Sequence, residues 1–188
     1  MHLPFRRRRR ERGVAAVEFA MLALFFFAFV GGIVETARLI YVINTMGEVA
    51  RHGARMAATA EYCSPTAMSA LRSAAVFGGR IPATDNITDA NVVLAYLQAD
   101  ASTPVAARPP TPALNLSVCT ANPASPNCIR YVRVRLCESG SDCNRIEYKF
   151  WLPVSALLPP GGLRLPDFST VVPAESLGYR ADAPGSCI

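Results

Sequence analysis

Residues 14–34 read VAAVEFAMLALFFFAFVGGIV, 21 consecutive positions with a single charge, Glu18. As a helix this run is about 31 Å long, close to the ~30 Å hydrocarbon core of a bilayer. Six arginines (Arg6, Arg7, Arg8, Arg9, Arg10 and Arg12) and one acid, Glu11, stand immediately before it. Positive charge at one end of an apolar span holds that end in the cytoplasm, so the remaining residues are expected across the membrane. A cleaved secretory signal has an apolar run of only ~7–15 residues and then a small-x-small site. Here the run is longer and continues helically into GGIVETARLIY without such a site. The segment therefore reads as a single membrane anchor.

The arginine run also accounts for the charge of the whole chain. There are 19 Lys+Arg against 14 Asp+Glu, a formal net charge of +5. Removing the six arginines and one acid of residues 1–13 leaves 13 basic and 13 acidic side chains, a neutral body. A nucleic-acid-binding domain spreads Lys and Arg over a face of its fold, often with aromatics between them. Lys149 is the only lysine here, and no nucleic-acid partner is expected.

Glu18 is the anomaly within the apolar run. A carboxylate at the centre of a membrane helix costs roughly 2.5–3.5 kcal/mol, and less near an end. Glu18 lies within two turns of the start, so one reading is an acid that snorkels to the headgroups. The other is an acid awaiting a partner. Cleavage between Gly13 and Val14 would create an α-amino group at Val14 and make Glu18 the fifth residue. In a poorly hydrated helix bundle the two charges attract strongly, and pairing between subunits would set their axial stagger.

The stretches RGVAAVEFAMLAL and GGIVETARLIYVINTMGEVARHGARMAAT resemble the N-terminal signature of TadE-like proteins of the tight-adherence (Tad/Flp) pilus, relatives of type IVb pilins and pseudopilins. The resemblance covers residues 12–59. It implies a pilin-like fold, a leader cut after Gly13 by a membrane prepilin peptidase, and an assembly role for Glu18 with Phe19 beside it. It further implies a minor pilin or pseudopilin acting in pilus assembly and surface adherence. The implied partners are other pilins or pseudopilins and the inner-membrane Tad machinery. Phe19 stands where processed relatives often have Tyr, and Leu24 about where a proline is common.

No proline interrupts residues 14–61, which predicts one helix about 70 Å long. Beyond the apolar run, Leu39, Val42, Ile43, Met46, Ala50, Gly53 and Ala57 fall on one face. Arg38, Tyr41, Asn44, Thr45, Glu48, Arg51 and Arg55 mark the other, a match to the 3.6-residue period. Ser64 and Pro65 then predict a helix start, with an end near Phe77 at Gly78-Gly79. Thr88-Asp89 is read as the cap of a further helix carrying Val92, Val93, Tyr96 and Leu97, and residues 102–113 as a Pro-rich connection. A strand is expected around Leu114–Cys119. Alternation at Val132, Val134 and Leu136, and again at Ile146, Tyr148, Phe150 and Leu152, predicts an antiparallel hairpin around CESGSDC. Arg130, Arg133 and Arg135 are read as a solvated face offset by Glu138 and Glu147, and residues 168–172 as an edge strand.

All six cysteines follow the apolar run, an even count suited to disulfides in an oxidising compartment. The preferred pairs are Cys137–Cys143, Cys119–Cys128 and Cys63–Cys187. No CxxC or zinc spacing occurs, and neither His2 nor His52 is placed for nucleophilic chemistry. GxSxG, Walker A and HExxH patterns are missing. No catalytic residue, metal, cofactor or small-molecule substrate is expected. The organisation is thus a basic leader at 1–13, a long helix at 14–61 with its membrane half at 14–34, and an exported head at 62–188. The fold class is α+β, a transmembrane then amphipathic helix bearing a small disulfide-stapled head. A rival reading keeps the same anchor uncleaved, as a tether for a head that is a binding module or a partner of an envelope enzyme.

Overall fold

A computed structural model describes residues 8–84, 86–140, 143–152 and 162–182, with side chains from residue 13 onward. Helix α1 runs unbroken over Arg8–Thr59, 52 residues, or about 78 Å. It begins before the predicted start and ends two residues sooner. Residues 174–177 close its C-terminal end: the Ala58 carbonyl accepts from the N–H groups of Glu175 (3.0 Å) and Leu177 (3.1 Å). Two amides thereby satisfy one of the carbonyls that every helix end leaves without an intrahelical donor.

Helix α2, Pro65–Ala75, starts as its sequence predicts, with the Ser64 hydroxyl accepting from the Ala67 N–H at 3.3 Å and proline in the first turn. It closes through Phe77, Gly78 and Gly79, all at positive φ. Three strands form an antiparallel sheet in the order β1 (Val92–Leu97), β2 (Tyr131–Leu136), β5 (Phe168–Pro173). The register pairs Leu94 with Val134 and Val134 with Thr170. Val132, Val134 and Leu136 face the core, where they meet Val42, Met46, Val49, Ala54 and Ala57 of α1. The second half of α1 is thus the spine on which the sheet and α2 pack. Along it every apolar position from Val42 to Ala58 is buried or half-buried.

Three local expectations fail, each for an identifiable reason. Residues 89–91 form only a 3-10 turn, and Val92–Leu97 is a strand. The Asn91 side chain accepts from the Thr88 N–H at 2.8 Å, which closes the turn at once. The β-branched Val92 and Val93 then join the free edge of β2. Residues Pro112–Ala121 form helix α3 where a strand was expected, because the Thr111 hydroxyl caps the Leu114 N–H at 3.2 Å and Pro112 opens the first turn. The hairpin between β2 and residues 146–152 does not form. Both edges of β2 are occupied by β1 and β5, so β3 (Glu147–Tyr148) pairs instead with β4 (Leu163–Arg164) in a separate two-stranded ribbon. The expected edge strand at 168–172 is present as β5.

Disulfides join Cys119 to Cys128 and Cys137 to Cys143. The first ties the end of α3 to the approach to β2. Cys63 is disulfide-bonded, and Cys187, its expected partner, lies outside the described residues. The fold is a long N-terminal apolar helix followed by a small α+β head with antiparallel strands.

Candidate functional site

The first half of α1 is bare. Over the candidate membrane span the mean hydropathy is 2.3 and none of the window is buried by the rest of the chain. Phe19, Leu22 and Phe29 are each 70% exposed or more. So much uncovered apolar surface is stable only in hydrocarbon or against other apolar helices. Glu18 is exposed on this half, one helical turn beyond Val14. Gly13 lies within the helix, where a β-carbon would meet nothing within 4 Å. Arg8, Arg9, Arg10 and Arg12 continue the same helix toward its N-terminus, whereas Arg6 and Arg7 lie outside the described residues.

Immediately past the apolar run, helix and head are clamped together by a buried polar cluster. Glu35 and Arg38 are 6% and 8% exposed. Arg38 Nη1 donates to Glu35 Oε1 at 2.8 Å, to the Tyr148 hydroxyl at 3.1 Å and to the Lys149 carbonyl at 2.9 Å. Its Nε donates to the Ala83 carbonyl at 2.9 Å. The Tyr148 hydroxyl donates to Glu35 Oε1 at 2.7 Å, and the Trp151 N–H to Glu35 Oε2 at 3.3 Å. The guanidinium also lies 4.3 Å from the Trp151 ring centre and 5.0 Å from that of Tyr148. Burial, reinforced by the hydrogen bond to Glu35, pushes the Tyr148 hydroxyl up to about 12. A buried ion pair costs desolvation, which is offset only when the remaining donors and acceptors are satisfied. Here the hydrogen bonds and flanking rings meet that condition, so the cluster pins Ala83 and the 148–151 segment to the helix below the core.

The sequence pattern sets Arg38 on the helix face opposite Leu39, Val42 and Met46, yet it is buried. The helical period does place it beside Tyr41 and Thr45, but the loop at 148–151 covers it. The sequence did carry a signal: two opposite charges three residues apart directly after the apolar run, and the aromatic Tyr148-Lys149-Phe150-Trp151 run, which its alternation assigns to a hairpin strand. The arginine face of the sheet also differs from expectation, since Arg135 pairs with Asp167 at 3.1 Å. Asn115, in one of two Asn-x-Ser/Thr patterns, is buried in α3 and accepts the Ile129 N–H at 2.9 Å. Among the described residues no group of three or more His, Cys, Asp or Glu converges as a metal set.

A family model described as TadE-like protein matches residues 13–55, under a quarter of the chain. The match spans the bare half of α1, Glu18 and Phe19, the Glu35–Arg38 pair, and most of the half that packs on the head. No curated protein and no solved structure matches the chain. The apolar helix within that TadE-like segment is a candidate membrane anchor.

Proposed function

We propose that this chain, TadE-like over residues 13–55, is a minor pilin or pseudopilin that takes part in assembling a Tad/Flp type IVb pilus and in surface adherence. Residues 1–13 are its cytoplasmic leader, residues 14–34 its span through the inner membrane, and the head at 62–188 stands outside that membrane. It works by helix packing and head contacts and catalyses no reaction. The observation that carries this reading is the coincidence of the TadE-like match with an apolar helix half whose most apolar window is left unburied by the described residues. In that role the prepilin peptidase cuts between Gly13 and Val14, and Glu18 pairs with the new amine of a neighbouring subunit.

One observation favours the rival, an uncleaved signal anchor that tethers a binding head. The helix continues across the Gly13–Val14 bond, so a peptidase must first unwind it. Sequencing the N-terminus of the membrane-extracted protein decides between the two. Val14 as the first residue supports processing, and an intact Met1 in a host with a working prepilin peptidase refutes it. Glu18→Ala is expected to leave membrane insertion intact and to reduce incorporation into the pilus system. Unchanged piliation and adherence would remove the amine-pairing role.

A further inference from the structure

Trp151 is the only tryptophan in the chain and remains 65% exposed although its ring is held against Arg38. Its neighbour Leu152 reaches farther down the helix. The Leu152 Cδ1 lies 3.2 Å from where a β-carbon on Gly31 would stand, inside the apolar run. Leu152 is itself 37% exposed, and Ile33 and Val34, close to Gly31 along the helix, are 55% and 52% exposed. At Gly31 the apolar surface of the helix thus meets an exposed apolar side chain of one loop of the head. Lys149, the only lysine, is exposed two residues before Trp151.

The height of this loop is set by the helix. Glu35, which accepts the Trp151 N–H, is 21 residues beyond Val14, about 31 Å along the axis. If Val14 enters the hydrocarbon at one face, the Trp151 loop stands where a ~30 Å core ends. Trp concentrates at that boundary, with its ring among the upper acyl chains and its N–H among the headgroups. A lysine at the same level extends its ammonium to lipid phosphates.

We propose that residues 149–152 are an interfacial anchor, by which the head rests on the lipid headgroup layer at the outer face of the membrane while the helix spans it. The anchor rests on the reading of residues 14–34 as a membrane span. The loop and the helix together make a two-point attachment, and the Glu35–Arg38–Tyr148 cluster keeps the two at one height. The head is thereby held upright on the bilayer before any assembly step lifts it away.

The single tryptophan makes the test direct. The full chain is reconstituted into phosphatidylcholine vesicles in which the lipid is unbrominated, brominated near the headgroup end of the acyl chain, or brominated near the chain terminus. A second protein, Phe26→Trp in a Trp151→Phe background, reports on the middle of the span. Trp151 emission is expected to fall about twofold in the shallow-brominated lipid, with little change in the deep-brominated lipid and poor quenching by aqueous iodide. Phe26→Trp is expected to show the reverse depth order. If Phe26→Trp is quenched by deep bromine while Trp151 responds only to iodide, the anchor is refuted and the span stands. If Trp151 is shielded from iodide yet unquenched by either bromolipid, a protein surface covers it and the anchor is again refuted. If neither tryptophan senses bromine, the span itself fails, and the anchor with it.

Discussion

Truncating Arg38 is expected to destabilise the head more than truncating Glu35, although the two form one ion pair. Removing one partner of a buried pair costs about 3–5 kcal/mol, because the other charge is left in a dry site. Glu35→Ala leaves Arg38 with three acceptors, the carbonyls of Ala83 and Lys149 and the Tyr148 hydroxyl, and with both aromatic rings. Its cost should lie near the low end, about 3 kcal/mol. Arg38→Ala leaves the Glu35 carboxylate with two donors and no cation. It also takes a donor from the part-buried carbonyls of Ala83 and Lys149 and the cation from both rings, and ring contacts alone are worth about 0.5–1 kcal/mol each. Its cost should lie near 5 kcal/mol or above. The double variant should cost about 5–6 kcal/mol rather than the sum of the two singles, since neighbours in one network couple by up to about 3 kcal/mol. Guanidinium titration of the full chain in detergent micelles, followed by near-ultraviolet circular dichroism, measures all three. A Glu35→Ala cost equal to or above that of Arg38→Ala, or either single cost below about 0.5 kcal/mol, would refute the buried-clamp reasoning.

Three further outcomes can be measured on the same preparation. Gly178 has φ +82°, and a β-carbon there would stand 2.5 Å from Glu61 Cα and 2.8 Å from Glu61 N; Gly178→Ala should therefore cost about 2–4 kcal/mol, because backbone cannot swing aside as a side chain does. Replacing both Cys119 and Cys128 by serine should cost about 2–3 kcal/mol, the loop-closure entropy expected for a separation of 9 residues, and an unchanged unfolding midpoint would show that α3 is held by packing alone. Tyr62, Tyr96 and Tyr148 are all pushed up to about 12 from an ordinary 10, chiefly by burial. A folded-state pKa above the unfolded value stabilises the protein fully below pH 10 and loses that contribution as pH rises toward 12. Tyrosinate absorbance should accordingly show a late-titrating group of three, with stability falling over the same window; complete titration near pH 10 in the folded protein would contradict the burial.

Much of the architecture is local and could be read from the chain. The long helix follows from residues 14–61 lacking proline and keeping a 3.6-residue period, and α2 from the Ser64-Pro65 start signal. The strand at 131–136 follows from Val132, Val134 and Leu136 alternating with arginines. Thr111-Pro112 is the same kind of start signal as Ser64-Pro65, so α3 was legible too. The alternation of Leu114, Leu116 and Val118 obscured it by imitating a strand; in the helix Leu114 and Leu116 are exposed, and Pro112 and Asn115 are the buried positions. Strand partners are of another kind. A strand identifies its own buried face, but its neighbours depend on which free edges remain, and β1 and β5 reach β2 from roughly 35 residues away on either side.

What the sequence determined alone is the candidate anchor: 20 uncharged, mostly apolar residues around Glu18 and the six arginines before them are a property of composition, and no tertiary contact is needed to make that surface insoluble in water. What only the tertiary structure decided is the joint above it. Helical periodicity places Arg38 on the polar face, and solvent is the default destination of such a charge. Its burial with Glu35 depends on Tyr148 and Trp151, 110 to 116 residues along the chain, arriving with the hydrogen bonds that replace water. Hydrophobic patterning records the average fate of a residue type. Burial of a charge is decided by specific partners, and those exist only once the chain has folded back on itself.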